Sequence, residues 1–179
     1  MIYKTHYDSP LGGMLLSADD KGLTGLWFDG QKYFAYGLAE SEICEEQENS
    51  TLTEAKRWLD IYFSGKEPDF DLPISLSGTD FQKKVWGILC AIPYGKTMTY
   101  GQIAAQLAAE QGAAHMSAQA VGGAVGHNPL SIIVPCHRVV GTNGSLTGYA
   151  GGIDRKIKLL TLEGVDMSRF FVPKKGTAL

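Results

Sequence analysis

The first thirty residues alternate short apolar stretches with turn residues. The apolar stretches are MIYKTHY, MLLSADDKG and LTGLWF, and the turns between them are Ser9-Pro10, Gly12-Gly13 and Asp20–Gly22. Short apolar runs bounded by Gly, Pro and Asp are typical of strands joined by tight turns. The pattern predicts an antiparallel sheet, followed over residues 31–50 by a polar, acidic loop with at most a weak helix.

A helical period replaces this alternation after residue 50. In TLTEAKRWLDIYFSG the apolar residues lie at helical spacing, with Ser and Thr at the start and Gly65 at the end, which predicts a helix. Pro68 and Pro73 then indicate an extended linker. We therefore predict an N-terminal domain of residues 1–77, a second domain of residues 78–168 and a tail of residues 169–179.

The second half of the chain is predicted to be mostly helical. Helical patterns occur in FQKKVWGILCAI, YGQIAAQLAAEQG and SAQAVGGAVGHN, and the last two, joined by a turn, suggest a helix-turn-helix. LSIIV then predicts a buried strand or extended segment, and GTNGSLTGYAGG predicts a glycine-rich loop. DRKIKLLTLEG predicts a final amphipathic helix, and MSRFFVPKKGTAL predicts a loosely held basic tail.

One of these predicted helices has almost no side-chain bulk. SAQAVGGAVGHN contains several alanines and glycines, and each glycine inside a helix costs about 0.8–1 kcal/mol relative to alanine. Something must therefore come close to this backbone. Two interpretations remain open, namely tight packing against another helix and insertion into a nucleic-acid groove.

Composition and charge narrow the possible partners. The chain has 179 residues, 44% of them hydrophobic and 20% charged, and no apolar stretch is long enough to span a membrane. The N-terminal residues lack the apolar region of a signal peptide, so we expect a cytoplasmic protein without a membrane partner. The net charge is −3, but residues 1–75 carry −8 and residues 76–179 carry +5. A polyanion responds to the local potential, so the basic half favours nucleic acid, and a solvated acidic face is the alternative.

Three widely spaced cysteines argue against disulfides and against a structural zinc site. Cys44 and Cys90 are interpreted as buried, inert thiols. Cys136 differs because it precedes His137 in IIVPCHRVVG, and a histidine can favour the reactive thiolate. Adjacent residues of an extended chain point in opposite directions, so a turn or a bridging water is needed for His137 to take the thiol proton. Glu163 is a candidate to orient the histidine.

The region around Cys136 resembles the signature of the O6-alkylguanine-DNA alkyltransferases, a family of suicide DNA repair proteins. The resemblance is carried by NPLSIIVPCHRVVGTNGSLTGYAGGIDRKIKLLTLEG and continues upstream through FQKKVW, IPYGKTMTYGQIA and AVGGAV. It covers residues 80–165 strongly, and the N-terminal half agrees in layout. It implies an α+β fold, with an N-terminal ribonuclease-H-like sheet-and-helix domain and a C-terminal helical domain containing a winged-helix-like helix-turn-helix.

The resemblance also implies a role for each matching residue. Cys136 corresponds to the alkyl acceptor, His137 to the base that deprotonates it through a water, and Glu163 to the carboxylate that orients the histidine. The positions that correspond to substrate-binding residues are Tyr100, Asn128, Ser131, Val139, Tyr149 and Ala150. The positions that correspond to DNA-binding residues lie in the small-residue helix and are Ala118, Gln119, Ala120 and Gly122.

The activity implied by the resemblance is irreversible transfer of a methyl or larger alkyl group from guanine O6, and from thymine O4, to Cys136. The partner is double-stranded DNA, the damaged base is flipped through the minor groove, and the protein acts as a monomer without metal or cofactor. Two departures affect these expectations. Gln119 stands where the family often has arginine, and Ser131 and Ala150 stand where some members have proline and serine, which puts the size of the pocket in question.

Three other functions remain to be separated from this one. A non-catalytic damage sensor of the alkyltransferase-like kind carries tryptophan in place of the cysteine, which Cys136 argues against. A helix-turn-helix transcription regulator would need a ligand or dimer surface but no PCHR motif. A cysteine hydrolase would turn over and would not need the small-residue helix.

Overall fold

A computed structural model describes residues 1–38, the backbone of residues 43–46, and residues 49–174. The chain forms two compact units. One contains Met1–Gly78 together with Pro129–Ser131, and the other contains Thr79–Asn128 together with Ile132–Leu179. Among the described residues, no helix has both the length and the apolar character needed to cross a membrane.

The first unit contains a four-stranded sheet. Its strands are β1 (Ile2–Ser9), β2 (Gly12–Ala18), β3 (Leu23–Phe28) and β4 (Ile43–Glu46), in the spatial order β3-β2-β1-β4. The predicted antiparallel pairing of the first three strands is confirmed. The interpretation of residues 31–50 as a loop is wrong for β4, which pairs in parallel with β1. A four-residue strand has no detectable period, since its pairing with a distant strand defines it.

The free edge of β3 is covered by two short extended segments of the same unit. Leu23 bonds to Pro73 and Ser75 through its N–H and carbonyl, and Leu26 bonds in the same way to Pro129 and Ser131. An uncovered strand edge presents unpaired backbone groups, so these segments satisfy the edge without adding a full strand. Residues 129–131 are therefore held to β3 although they are remote from it in sequence.

The predicted helix after residue 50 is confirmed as α1 (Ser50–Phe63). The side chain of Asn49 accepts the N–H of Leu52, which caps the first turn. The buried residues of α1 have helical spacing and are Leu52, Ala55, Leu59 and Tyr62. Tyr7 of β1 donates to Asp60 of α1 over 2.7 Å, which fixes the helix on the sheet.

The three predicted helices of the second half are confirmed as α2 (Asp80–Cys90), α3 (Tyr100–Glu110) and α4 (Ala118–Gly126). Capping boxes start α2 and α3, with Thr preceding the helix and Gln at its third position. Trp86 is buried and donates its indole N–H to the carbonyl of Ala124 over 2.9 Å. This bond joins α2 to α4, so α4 is fixed on the helical core of the second unit.

The segment after α4 differs from the prediction. Only Leu130 forms a strand-like bridge, to Leu26, and turns follow it. Cys136–Arg138 form one turn of 3-10 helix, and Val139–Val140 form β6, which pairs in parallel with β5 (Met98–Thr99). Apolar residues alone do not distinguish an extended strand from a buried turn, which is why the strand prediction fails after Leu130.

The last predicted helix is confirmed as α5 (Ile153–Leu162). The prediction of a loosely held tail is wrong for its first part. Met167–Arg169 form a 3-10 turn, and the backbone of Phe171 bonds to that of Gly144 and Leu146. The half-buried Phe170 packs against the cluster of Val140, Leu146 and Leu160. Residues 175–179 lie outside the described residues.

Candidate active site

The candidate nucleophile lies on a buried turn. The N–H of Cys136 donates to the carbonyl of Val134 over 2.8 Å, and that of Arg138 donates to Pro135 over 3.0 Å. Cys136 is buried, with 5% of its surface exposed. The turn replaces the extended geometry in which residues 136 and 137 would point in opposite directions, and it removes that obstacle to cooperation between their side chains.

Asn128 braces this turn from the end of α4. Its side-chain N–H donates to the carbonyl of Val134 over 2.8 Å, and its side chain also bonds to the sulfur of Cys136. Burial raises the pKa of the Cys136 thiol. The bond from Asn128, the charge of Lys156 and the backbone N–H groups of residues 136 and 137 oppose that shift. The resting residue is therefore a thiol, in surroundings that already stabilise the thiolate.

His137 and Glu163 form a fully buried pair. His137 Nε2 lies 2.5 Å from Glu163 Oε2, and both side chains are completely shielded from solvent. Burial lowers the pKa of His137, which the hydrogen bond to Glu163 partly offsets. The imidazole is therefore neutral, with Nε2 donating to Glu163. Its Nδ1 carries the lone pair that can accept a proton.

Arg138 and a backbone N–H hold the other oxygen of Glu163. Arg138 Nε donates to Oε1 over 2.7 Å, and the N–H of Gly95 donates to the same atom over 3.1 Å. Burial would raise the pKa of Glu163, but the bonds and charges of His137 and Arg138 lower it to about 2. Arg138 and Glu163 therefore form a buried ion pair. The carboxylate thus stays ionised and points one oxygen at His137.

Lys156 is a functional candidate that the sequence analysis missed. It is completely buried, and its Nζ donates to the carbonyls of Val139 and Thr147. Burial lowers its pKa to about 8, and the charge of Cys136 opposes that shift. The signal was present in the sequence, because Lys156 occupies a position of the apolar stripe of α5 with Ile153, Ile157 and Leu160. A lysine in a buried stripe requires a polar environment.

Two tyrosines lie close to the cysteine turn. Tyr100 begins α3 directly after β5, whose pairing with Val139–Val140 brings it beside the turn. Its hydroxyl donates to the carbonyl of Thr147 over 3.1 Å, and burial raises its pKa. A side chain at Gly148 would come within 2.7 Å of this hydroxyl, so glycine is required there. The ring of Tyr149 stands edge-on to His137, with centroids 6.5 Å apart.

Ser131 and Ala150 lie in different surroundings. Ala150 is half-buried in the loop after Tyr149, as a pocket residue would be. Ser131 is grouped with the first unit, where its N–H donates to Leu26 and its hydroxyl lies 3.3 Å from Oε1 of Gln31. Gln31 is a second residue that the sequence analysis missed. It lies in a polar stretch, and no local pattern marks it as buried.

The predicted DNA-binding residues lie on the outer face of α4. Ala118, Gln119 and Ala120 are exposed and Gly122 is half-buried, whereas Val121, Ala124 and Val125 face the core. A side chain at Gly123 would meet nothing within 4 Å, and one at Gly122 would only reach ordinary contact distance, 4.0 Å, from Tyr100. Tight packing within the protein therefore does not explain these two glycines, and that interpretation is wrong for them.

The remaining cysteines and histidines form no second site in the part of the chain described. Cys90 is exposed rather than buried as expected, because it ends α2 on the side away from the core. The side chain of Cys44 lies outside the described residues. No group of three or more His, Cys, Asp or Glu residues is placed to hold a metal ion among the residues whose positions are described.

Two family models match the chain. One is described as the DNA-binding domain of 6-O-methylguanine DNA methyltransferase and matches residues 80–165. The other is described as the ribonuclease-like domain of the same family and matches residues 2–76. The two matches together span both structural units.

Several proteins of known name and structure are similar over most of their length. A methylated-DNA–protein-cysteine methyltransferase of Mycobacterium leprae is 44% identical over 91% of this chain and 93% of its own. A protein of the same name from Methanosarcina acetivorans is 42% identical over 91% of this chain and 99% of its own. A crystal structure of Mycobacterium tuberculosis OGT in complex with DNA is 42% identical, with a TM-score of 0.77 over 94% of each chain.

Proposed function

The chain belongs to the 6-O-methylguanine DNA methyltransferase family, and we propose that Cys136 is the residue that takes the alkyl group from damaged DNA. The protein is a DNA repair enzyme that transfers a methyl group from O6-methylguanine in DNA to one of its own cysteines. Its partner is double-stranded DNA, on which it acts as a monomer, and the cytoplasm is its proposed location.

The observation that carries the assignment is the surroundings of the Cys136 sulfur. One side chain, two backbone N–H groups and a buried lysine charge all favour its thiolate form. His137, whose imidazole is neutral, follows it on the same turn and is held by Glu163. The other described thiol is Cys90, at the solvent-facing end of α2, and only the charge of Arg138 opposes the rise that desolvation causes in its pKa. Cys136 is thus the described cysteine with the means to ionise and react.

The transfer starts with loss of the thiol proton. His137 Nδ1 accepts that proton through a bridging water, and the imidazolium so formed is stabilised by the ionised Glu163. The thiolate then attacks the alkyl carbon in line with the bond to guanine O6. The S–C bond forms as the C–O bond breaks, and the electron pair of the C–O bond moves to the purine. The proton held by His137 then passes through water to the purine, which becomes guanine.

Tyr100 assists as charge develops on the base. Its hydroxyl donates to the carbonyl of Thr147 when no base is bound, and it exchanges this acceptor for N3 of the purine. In this proposal the carbonyl of Val139, which is bonded to Lys156, faces the base, and the ring of Tyr149 and the half-buried Ala150 line the pocket. A fixed donor aimed at the growing charge lowers the barrier without reorganisation.

The product does not leave the protein. An alkylated Cys136 is a thioether, which has no good leaving group, and no cofactor is proposed to regenerate it. Each molecule therefore acts once. Methyl, larger alkyl groups and O4-methylthymine are proposed substrates, and the side chain of Ala150 limits their size. Ser131, whose hydroxyl is bonded to Gln31 in the first unit, has no part in this limit.

α4 is the proposed reader of DNA. Its outer residues, Ala118, Gln119, Ala120 and Gly122, present little bulk and no charge. A backbone so bare can approach the minor groove closely, and Gln119 fills the space left in the base stack when the damaged nucleotide rotates into the pocket. Asn128, at the end of α4, connects this helix to the turn that carries Cys136.

The proposal is tested with a duplex that carries O6-methylguanine labelled in its methyl group. We expect one label per protein molecule, on the peptide that contains Cys136, and none after Cys136→Ala. Cys90→Ala is the matched control and should retain full transfer. Repeated turnover, or label on another residue, would contradict the assignment. Turnover would instead indicate a hydrolase, and duplex binding without transfer would indicate a damage sensor.

A further inference from the structure

Residues 129–131 are bonded to the first unit, although the residues on either side of them in the chain belong to the second. Leu26 of β3 donates to the carbonyl of Pro129 over 2.8 Å and accepts the N–H of Ser131 over 2.9 Å. These two bonds fix the backbone of the segment. Only four residues, 132–135, separate Ser131 from Cys136.

Gln31 adds a side-chain anchor to these backbone bonds. It is 7% exposed, and its Oε1 accepts the N–H of Phe28 over 2.8 Å. That bond identifies the atom as oxygen, because an N–H needs an acceptor. The Ser131 hydroxyl, 3.3 Å from the same oxygen, must therefore donate to it. The other end of the amide donates to the carbonyl of Lys32, so the Gln31 side chain has both ends fixed.

The backbone immediately after this anchor is strained. Ile132 has φ of 70°, a left-handed conformation that is a genuine outlier for a β-branched residue. Such a conformation persists only where the surroundings enforce it. Before Ile132, the backbone of Ser131 is bonded to β3. After Ile132, the carbonyl of Val134 accepts a bond from the side chain of Asn128, which also bonds to the sulfur of Cys136.

We propose that Gln31 is a positioning residue for the transfer reaction, and that it acts by holding Ser131 and hence the strained connection to the Cys136 turn. The inference rests on the proposed function. It assigns to a side chain of the first unit an effect on the rate of transfer and none on DNA affinity, because α4, the proposed DNA reader, is not bonded to Gln31. Ser131 transmits the effect, so the two residues form one functional pair.

Single-turnover transfer from an O6-methylguanine duplex tests this pair. For Ser131→Ala, which removes only its bond to Gln31, we expect the rate at saturating duplex to fall about tenfold, as for the loss of one buried hydrogen bond. Gln31→Met also removes the bonds to Phe28 and Lys32, so it should slow transfer at least as much. The duplex concentration giving half the maximal rate should stay unchanged. The double variant should be no slower than the slower single variant, since both substitutions remove the same bond.

Ser17→Ala is the matched control. It removes a single 2.7 Å hydrogen bond between the buried Ser17 and Thr24 of the sheet, so it should lower the unfolding temperature as much as Ser131→Ala but leave the transfer rate unchanged. If Ser17→Ala slows transfer equally, general loosening of the sheet explains the effect and the inference is overturned. A Gln31→Met rate within twofold of the unsubstituted protein also overturns it.

Two further outcomes are decided by the same measurements. If Gln31→Met does not fold, Ser131→Ala alone decides by the same two criteria. If the unsubstituted protein transfers no methyl group, the proposed function fails and the inference fails with it. Equal transfer by the unsubstituted protein and both single variants overturns the inference alone.

Discussion

The cysteine turn, residues 134–139, and the small-residue helix α4 belong to the same unit but are built in opposite ways. The turn is buried and rich in polar groups, with the pair His137–Glu163, the ion pair of Arg138 and the amine of Lys156 around it. The outer face of α4 is exposed and carries neither charge nor bulk. The turn is already organised for the proposed transfer, whereas α4 leaves room for the proposed partner.

The difference separates the effects that substitutions should have. Around the turn, the charged groups of Glu163, Arg138 and Lys156 are each bonded to another buried group. Removing one of them therefore leaves a buried partner unsatisfied and lowers rate and stability together. On the outer face of α4, no contact within the second unit requires glycine at position 123. No such contact requires an uncharged residue at position 119 either. Changes there should alter DNA affinity and leave the chemical step intact, and they can even stabilise the fold.

Glu163→Gln should have the largest effect on the turn. The amide cannot stabilise the imidazolium of His137 and leaves Arg138 without its carboxylate, so we expect transfer to slow on the order of 100-fold. The pKa of Glu163 is about 2 when folded and 4.5 as a reference. The unfolded chain therefore binds this proton more readily between those values, and about 3 kcal/mol of stability is lost as pH falls from about 5 to 2.

This loss is measured by chemical unfolding at several pH values. In Glu163→Gln the part of the pH dependence that comes from this carboxyl should be absent. Asp166→Asn is the control, because this carboxyl is exposed and is bonded to Ser168 rather than to a buried charged group. An unchanged transfer rate in Glu163→Gln would show that the buried pair has no part in the reaction.

Lys156→Met should have the next largest effect. Removal of the buried charge takes away one of the influences that favour the Cys136 thiolate and releases the carbonyls of Val139 and Thr147. We expect transfer to slow about tenfold at pH 7, which corresponds to about 1.4 kcal/mol. Lys158→Met, an exposed position of the same helix, is the control and should transfer normally.

The pH profile distinguishes the charge from simple packing. In the unsubstituted protein the rate should rise as His137 loses its proton and becomes able to act as the base, and it should fall above pH about 8, where Lys156 loses its proton. The Tyr100 pKa is raised well beyond this window, and that of His137 is lowered by burial. Lys156→Met should lack the falling limb. The same bell shape in both proteins would contradict a role for the lysine charge.

The contrast between the two regions also explains how much the sequence reveals. Helical spacing and capping residues predict α1, α2 and α3 because these signals are local. The strand β4 and the turn at Cys136 escape prediction because distant pairing and burial define them. Lys156 is detectable as a lysine in an apolar stripe, but Gln31 is not, since its partner Ser131 lies 100 residues away. The roles of the site residues came from the resemblance.

Gln119→Arg should have a moderate effect, confined to binding. An arginine at this exposed position adds a cation to the face proposed to meet DNA, so we expect about tenfold tighter binding at low salt. The slope of log affinity against log salt should steepen by about 0.9, the value for one more phosphate neutralised. Thr53→Arg adds the same charge on α1 and should change neither quantity. Equal effects of both variants would indicate net charge rather than α4.

Gly123→Ala should have the smallest effect and the most distinctive sign. The added methyl group meets nothing within 4 Å, so the protein should gain about 0.8–1 kcal/mol of stability from better helix propensity. The same methyl group should stand between α4 and DNA and weaken binding about threefold.

Gly87→Ala in α2 is the matched control, because Gly87 is also a helical glycine with nothing within 4 Å. It should give the same gain in urea unfolding and unchanged duplex affinity. If Gly123→Ala binds DNA as well as Gly87→Ala does, the bare face of α4 is not the DNA reader.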